Sequence, residues 1–284
     1  MYILHLLYVV IQTFLLDWVY HNQVFVPLSL SENARIYASP PKKKVILFLS
    51  GLYSLEYHAY MRKTLSDLWT DKEIQDEYQL MVYENRNTPS IIVADEVIDY
   101  IERRNREMPL DELILFGFSA GGVLASHIMP GLTHLSFSKK IITYDTPFSL
   151  MTVLSGFGRS RISRMDILYY YFAIKAVYER GGIEFPPYGG VEQVVESIQK
   201  THGFTRDEFF TNTQFRTDLP EETAVLHIRC KNDPIRCLEP ARPIPANHVL
   251  LEKPIVGHCS DMLWRRGYIR EVKHAIKYNF KKKA

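Results

Sequence analysis

Cysteine is scarce: the chain holds three, Cys230, Cys237 and Cys259, in 284 residues. So low and odd a number does not describe a disulfide scaffold, although Cys230 and Cys237 stand near enough in sequence to pair. Close ligand pairs of the C-x-x-C or H-E-x-x-H kind are missing, so no motif points to zinc or to any other metal or organic cofactor. Charge of one sign is lacking as well. With 34 basic and 32 acidic residues the formal charge is +2, which leaves no electrostatic footprint for nucleic acid. The two basic runs, Lys42-Lys43-Lys44 and Lys281-Lys282-Lys283, are short and read as solvated charge. There is no internal repeat. The uncharged apolar run at residues 2–16 (YILHLLYVVIQTFLL) stops at Asp17, short of the roughly 20 residues of a membrane span. No Lys or Arg precedes it and no clear small-x-small site follows it, which argues against a cleaved signal peptide. It reads as a helix packed on the protein or as a membrane anchor, so the protein is expected in the cytoplasm or held at a membrane.

What is present is ordinary globular material. Hydrophobic residues make up 46% and charged residues 23%, a balance that excludes wholesale disorder. The length suits one large domain, or one domain with an insertion. Residues 23–28 (QVFVPL) and 34–38 (ARIYA) form a hairpin-like pair separated by polar residues 29–33. Ser39-Pro40-Pro41 is a breaker. Residues 45–49 (VILFL) are continuously apolar, as in a strand buried on both faces, and a helical stretch follows over 55–69.

The pattern repeats: strand at 79–83 (QLMVY), amphipathic helix at 91–105, strand at 113–116 (LILF), helix from 120, strand at 140–144 (KIITY) ending at Asp145. Strands alternating with helices predict βαβ units and a mostly parallel central sheet flanked by helices. Past Phe148 the alternation stops. Residues 151–222 are aromatic, basic and punctuated by Gly and Pro, with the apolar stretch MDILYYYFAIKAVY at 165–178. Strands resume at 224–228 (AVLHI) and 248–251 (HVLL), and a last helix covers 261–277. Three parts follow: a hydrophobic N-terminal helix over 1–21, an α/β core over 22–150 and 223–284, and a helical cap or lid over 151–222, inserted after the sixth strand.

The residues with chemistry lie in DELILFGFSAGG. A G-x-S-x-G match such as Gly117 to Gly121 arises by chance in about one chain in ten of this length. Here the apolar strand LILF runs into the turn and the helix-compatible AGGVLASHIM leaves it, which is the context that gives the motif meaning. A tight turn projects the Ser119 hydroxyl above the sheet, Gly117 and Gly121 keep side chains out of the crowded backbone, and the helix N-terminus adds partial positive charge.

On these residues the chain resembles the α/β-hydrolase superfamily over 22–150 and 223–284. The resemblance implies an α/β-hydrolase fold and a triad in the order Ser, acid, His. His258, in Pro254-Ile255-Val256-Gly257-His258, stands after the HVLL strand and before the last helix, where the superfamily keeps its base. His227 lies inside a strand and reads as structural. Asp233, in the loop after AVLHI, is the implied acid. Asp145 is the alternative acid, with a second reading as a turn residue beside Thr146-Pro147. The implied oxyanion hole takes its N–H groups from Ala120 and Leu52. The superfamily commonly has His-Gly where this chain has Ser50-Gly51, which leaves the Leu52 donor the less secure of the two.

The implied activity is that of a serine esterase or lipase-like hydrolase without cofactor. The cap, with Arg159, Arg161 and Arg164 ahead of its apolar stretch, reads either as a lid over an acyl pocket or lipid surface, or as a helix packed on the core. The expected partner is a small-molecule or lipid ester, with membrane contact through the N-terminus or cap. Acyl transfer, thioester hydrolysis and peptide cleavage use the same triad, and a non-catalytic binding protein shares the fold.

Overall fold

The computed structural model describes residues 29–30, 36–49, 59–83, 90–149, 205, 207–208, 212–233, 244–256 and 266–278. The apolar runs of the sequence become its strands. They are β1 (Ser29–Leu30), β2 (Ile36–Ala38), β3 (Lys44–Leu49), β4 (Tyr78–Tyr83), β5 (Glu112–Phe118), β6 (Ser138–Tyr144), β7 (Ala224–Asn232) and β8 (His248–Val256). They form one sheet in the order β1-β2-β4-β3-β5-β6-β7-β8. From β4 to β8 every pairing is parallel, and β1 and β2 add antiparallel at one edge.

A strand covered on both faces needs apolar side chains in both directions. In β3, Ile46 and Phe48 join a core with α1 (Ala59–Trp69), α2 (Lys72–Glu77) and α5 (Arg266–Lys277), through Leu65, Leu68, Ile74, Val272 and Ile276. Val45 and Leu47 point the other way, into a core with α3 (Ser90–Glu107) and α4 (Ala120–Gly131), through Val93, Val97, Val123 and Ile128. The result is three layers, with the sheet in the middle.

Several local expectations change. β1 occupies Ser29–Leu30, inside the stretch expected to be the turn, while 23–28 lie outside the described residues. Helix α2 was not anticipated, because six residues carry too little periodicity to read. Its N-cap Asp71 accepts from the Ile74 N–H at 3.3 Å. The run Lys42-Lys43-Lys44 is not simply solvated. Lys42 reaches the Gln75 carbonyl and, at 2.6 Å, that of Asp76, and Lys44 meets Glu77 at 2.5 Å. Two lysines thus hold the C-terminal end of α2, where cations oppose the helix dipole.

Strand β8 runs five residues beyond the expected HVLL, through Pro254 to Val256. It is the outer strand of the described sheet, where a missing N–H is tolerated, and its register with β7 shifts between Cys230 and Asn232. The far end of the expected insertion packs on the core: Phe215 and Leu219 are buried beside α4, the Phe215 N–H donates to the Phe148 carbonyl at 2.8 Å, and the Arg216 N–H donates to Ser126 Oγ at 2.9 Å. The apolar cap stretch 165–178 and the N-terminal helix lie outside the described residues. Among the described residues no helix is long and apolar enough to cross a membrane.

Candidate active site

Between the last residue of β5 and the first of α4 stands Ser119, with φ 48° and ψ −121°. An L-residue at positive φ is strained by on the order of 1–3 kcal/mol, and such strain persists only where surrounding structure enforces it. The enforcement is visible. The Ser119 N–H donates to the Tyr144 carbonyl of β6 at 2.8 Å, and the Ser119 carbonyl accepts from the Gly122 N–H at 3.1 Å. The turn is thereby clamped between the neighbouring strand and the first turn of its own helix.

Two glycines make the clamp fit. A Cβ on Gly117 would lie 2.4 Å from the backbone N and Cα of Gly122 and 2.5 Å from the carbonyl carbon of Gly121. A Cβ on Gly122 would lie 2.0 Å from Thr146 Oγ1. Gly117 and Gly121 are the glycines of the sequence motif. Gly122 was missed, and the Gly121-Gly122 doublet was its only trace in the sequence. Ala120 is buried as the first residue of α4. Its amide therefore has no partner within the helix and sits at the positive end of the dipole.

The strands β5, β6, β7 and β8 are adjacent and parallel. Residues just past their ends therefore emerge at one edge of the sheet, with neighbouring strands about 4.8 Å apart. Ser119 follows β5, Asp145 follows β6 and Asp233 follows β7. His258 comes two residues after Val256, the last of β8, and Leu52 three after Leu49, the last of β3, which lies beside β5. The positions of His258 and Leu52 themselves lie outside the described residues.

The two acids differ in surroundings. Asp145 has φ 45°, and its Oδ1 accepts from the Cys230 N–H at 2.6 Å while its own N–H donates to the Ile228 carbonyl at 2.9 Å. Part of its carboxylate is thus spent pinning β6 to β7. Asp233 is fully buried, and its N–H donates to the Cys230 carbonyl at 3.3 Å. Among the described residues no group of three or more His, Cys, Asp or Glu side chains could hold a metal.

One polar cluster was not foreseen. On the α4 face, Thr143 of β6 lies opposite Gly117 in register. Its Oγ1 is 2.8 Å from His227 Nδ1, and His227 Nε2 is 3.0 Å from His248 Nδ1. Burial drives the His227 imidazole well below its ordinary pKa, helped by Arg229 and His248, and burial pushes His248 down to about 4. The His227 strand position was legible, but its partner was not, because cross-strand register is invisible in one segment.

No family model matches the sequence, and no curated protein matches it. Solved structures do match over most of its length. An α/β hydrolase enzyme from the sediment metagenome of the Mar Chica lagoon, Morocco, is 14% identical with a TM-score of 0.51, over 89% of this chain and 98% of that one. A candidate esterase from Staphylococcus aureus is 12% identical with a TM-score of 0.55, over 94% and 90%. An α/β-hydrolase-fold protein from Chitinophaga pinensis is 11% identical with a TM-score of 0.50, over 90% and 98%.

Proposed function

Because the chain has the α/β-hydrolase fold, we propose that it is a serine hydrolase cleaving a carboxylic ester, with Ser119 as nucleophile, His258 as base and Asp233 as the acid that orients the imidazole. The observation that carries this reading is the backbone of Ser119. A serine held at φ 48° and ψ −121° between a buried strand and a helix has its hydroxyl presented at a cost that a simple capping serine would not incur.

In this reading Ser119 Oγ attacks the acyl carbonyl as His258 takes its proton. The oxyanion that develops is met by the Ala120 N–H and by that of Leu52. Collapse expels the alcohol, which takes the proton from His258, and an acyl-enzyme remains. Water, deprotonated by His258, then releases the acid and restores Ser119. Asp233 is preferred to Asp145 because it follows β7, the strand paired with the one that leads to His258. The part of residues 151–222 ahead of Phe215 acts as the lid, and its apolar stretch favours a lipophilic acyl group.

A fluorophosphonate probe tests the nucleophile. Labelling of the purified protein should vanish in Ser119→Ala; labelling unchanged in that variant overturns the assignment. The acids separate in the same assay. Asp233→Asn should slow ester turnover by on the order of 10⁴-fold, the loss expected when the histidine tautomer is wrong, while Asp145→Asn stays within several-fold. The reverse ranking moves the acid to Asp145. A chain-length series of p-nitrophenyl esters reads the acyl preference, and added alcohols separate hydrolysis from acyl transfer.

A further inference from the structure

The Thr143–His227–His248 chain does none of the proposed chemistry, yet it joins β6, β7 and β8 side by side. Those strands lead to Asp145, Asp233 and the segment that holds His258. We propose that this chain is an acid-sensitive latch: with both imidazoles neutral it holds β7 and β8 in the register that presents Asp233 and His258 to Ser119, and protonation releases it.

The geometry permits only neutral rings to be comfortable there. The pair is covered by aromatic rings: Phe215 lies 5.2 Å from His227 and 6.3 Å from His248, and Phe148 lies 5.8 Å from His227. Among the described residues the charged group facing it is the Arg229 guanidinium of β7, stacked on Phe148 at 4.6 Å. From the 212–220 segment, Arg216 is paired with Asp218 at 2.7 Å, and from α4, His127 donates to the Gln214 carbonyl at 2.9 Å. Among the described residues no carboxylate accompanies the pair to welcome a second proton. His248 Nε2 is buried without a hydrogen-bond partner among the described residues, so a charge on that ring finds no group there to solvate it. If Thr143 donates to His227 Nδ1, then His227 Nε2–H donates to His248 Nδ1. A proton added at His248 Nδ1 leaves two N–H groups facing each other and breaks the link.

The sign follows from linkage. A histidine that is neutral when folded and ordinary when unfolded takes up a proton on unfolding. Stability is therefore full above about pH 6.5 and falls as pH drops toward the folded value, about 4 for His248. Each such histidine raises the unfolding constant by up to about tenfold per pH unit in that window.

The latch rests on the Ser119 reading only for its consequence in catalysis, and the experiment keeps the two apart. Stability is measured against pH from 7.5 to 4 by denaturant titration of the wild type and of His248→Asn, whose amide can keep the Nδ1 contact but does not titrate. The wild-type unfolding constant should rise by up to about tenfold more per pH unit than that of the variant between 6.5 and 4. Equal slopes overturn the latch. Should the variant fail to fold, ring-nitrogen NMR of the wild type decides: His248 still neutral at pH 5.5 upholds the latch, and a charged ring there overturns it. Fluorophosphonate labelling gives the positioning readout. On going from pH 5.5 to 4 the folded wild type should lose about twofold more labelling rate than His248→Asn, because about half of the His248 rings are then protonated, and identical profiles overturn the positioning role. Wild type that is never labelled defeats the Ser119 reading, with the stability and NMR results still standing.

Discussion

At Ser119 the chain tolerates a backbone that only glycine adopts freely. Removing the side chain should therefore help folding if glycine replaces it and not if alanine does. Ser119→Gly is expected to be more stable than Ser119→Ala by about 1 kcal/mol: relief of 1–3 kcal/mol of strain, offset by the greater unfolded-state freedom of glycine. Urea denaturation of both variants measures it, and equal stability would mean that the turn relaxes. The second residue-scale test is Gly122→Ala. The new methyl meets Thr146 Oγ1 at 2.0 Å and Thr146 Cβ at 2.8 Å, so a loss of about 1–3 kcal/mol from overpacking is expected. Thr146→Ala in the same chain should recover part of it, because the hydroxyl and one methyl go while Cβ stays. The G-x-S-x-G turn was legible in the sequence because its strand, turn and helix are contiguous. The need for Gly122 was not, because Thr146 arrives from beyond β6, and only the folded sheet brings the two together.

Helices show the same division between local and distant causes. The last helix was readable as an element, and Val272, Ala275 and Ile276 are buried in the core. What anchors its end was not. The Ile276 carbonyl accepts from Lys140 Nζ at 3.2 Å and from the Tyr78 hydroxyl at 3.4 Å. Both donors converge on Glu112, Lys140 at 2.5 Å and Tyr78 at 2.7 Å, and all three side chains are buried. Burial, and then the bond to Glu112, raises the Tyr78 phenol, so it stays protonated and donating. Lysine and glutamate at strand ends read as solvent-facing, since each sequence segment hides the partner that neutralises it. Breaking a buried pair strands a charge and costs about 3–5 kcal/mol, whereas replacing both partners by apolar groups is often nearly neutral. Lys140→Met should therefore be severely destabilised, and Lys140→Met with Glu112→Leu should recover most of the loss. A double variant no better than the single one would show that the cluster acts through shape and not through charge. The second anchor lies at the other end of α2. There Lys273 and Lys277 reach the N-cap Asp71 at 3.4 and 3.2 Å, and Asp71 is held below its usual range in part by those lysines.

Across the whole molecule, the alternation of strands and helices disclosed a parallel sheet, because each βαβ unit is contiguous and its apolar runs are long. Strand order was less legible than strand existence. Nothing in residues 44–49 says that β3 lies between β4 and β5, nor that β2 pairs with β4; crossovers set that order through packing on both faces. The candidate site divides likewise. Ser119 could be found from its own neighbourhood, whereas the proposed choice of Asp233 over Asp145 rests on which strand lies beside β8, an order that only the folded sheet shows. The same order makes a prediction about opening. Central strands β3 and β5 are paired on both edges and buried on both faces, so their amides can exchange with solvent only when the domain unfolds. Outer strands have fewer neighbours to lose. β2 is three residues long, and β8 is the outer member of its pair, with a register shift and a proline. Hydrogen exchange read by mass spectrometry should show residues 45–49 and 113–118 exchanging slowest, at the global unfolding rate, with 36–38 and 248–256 faster by at least a factor of ten. Because β8 leads to His258, its lower protection would also mean that the proposed base sits on the part of the sheet most readily opened. Protection of β8 equal to that of β5 would instead require further chain to cover its outer edge.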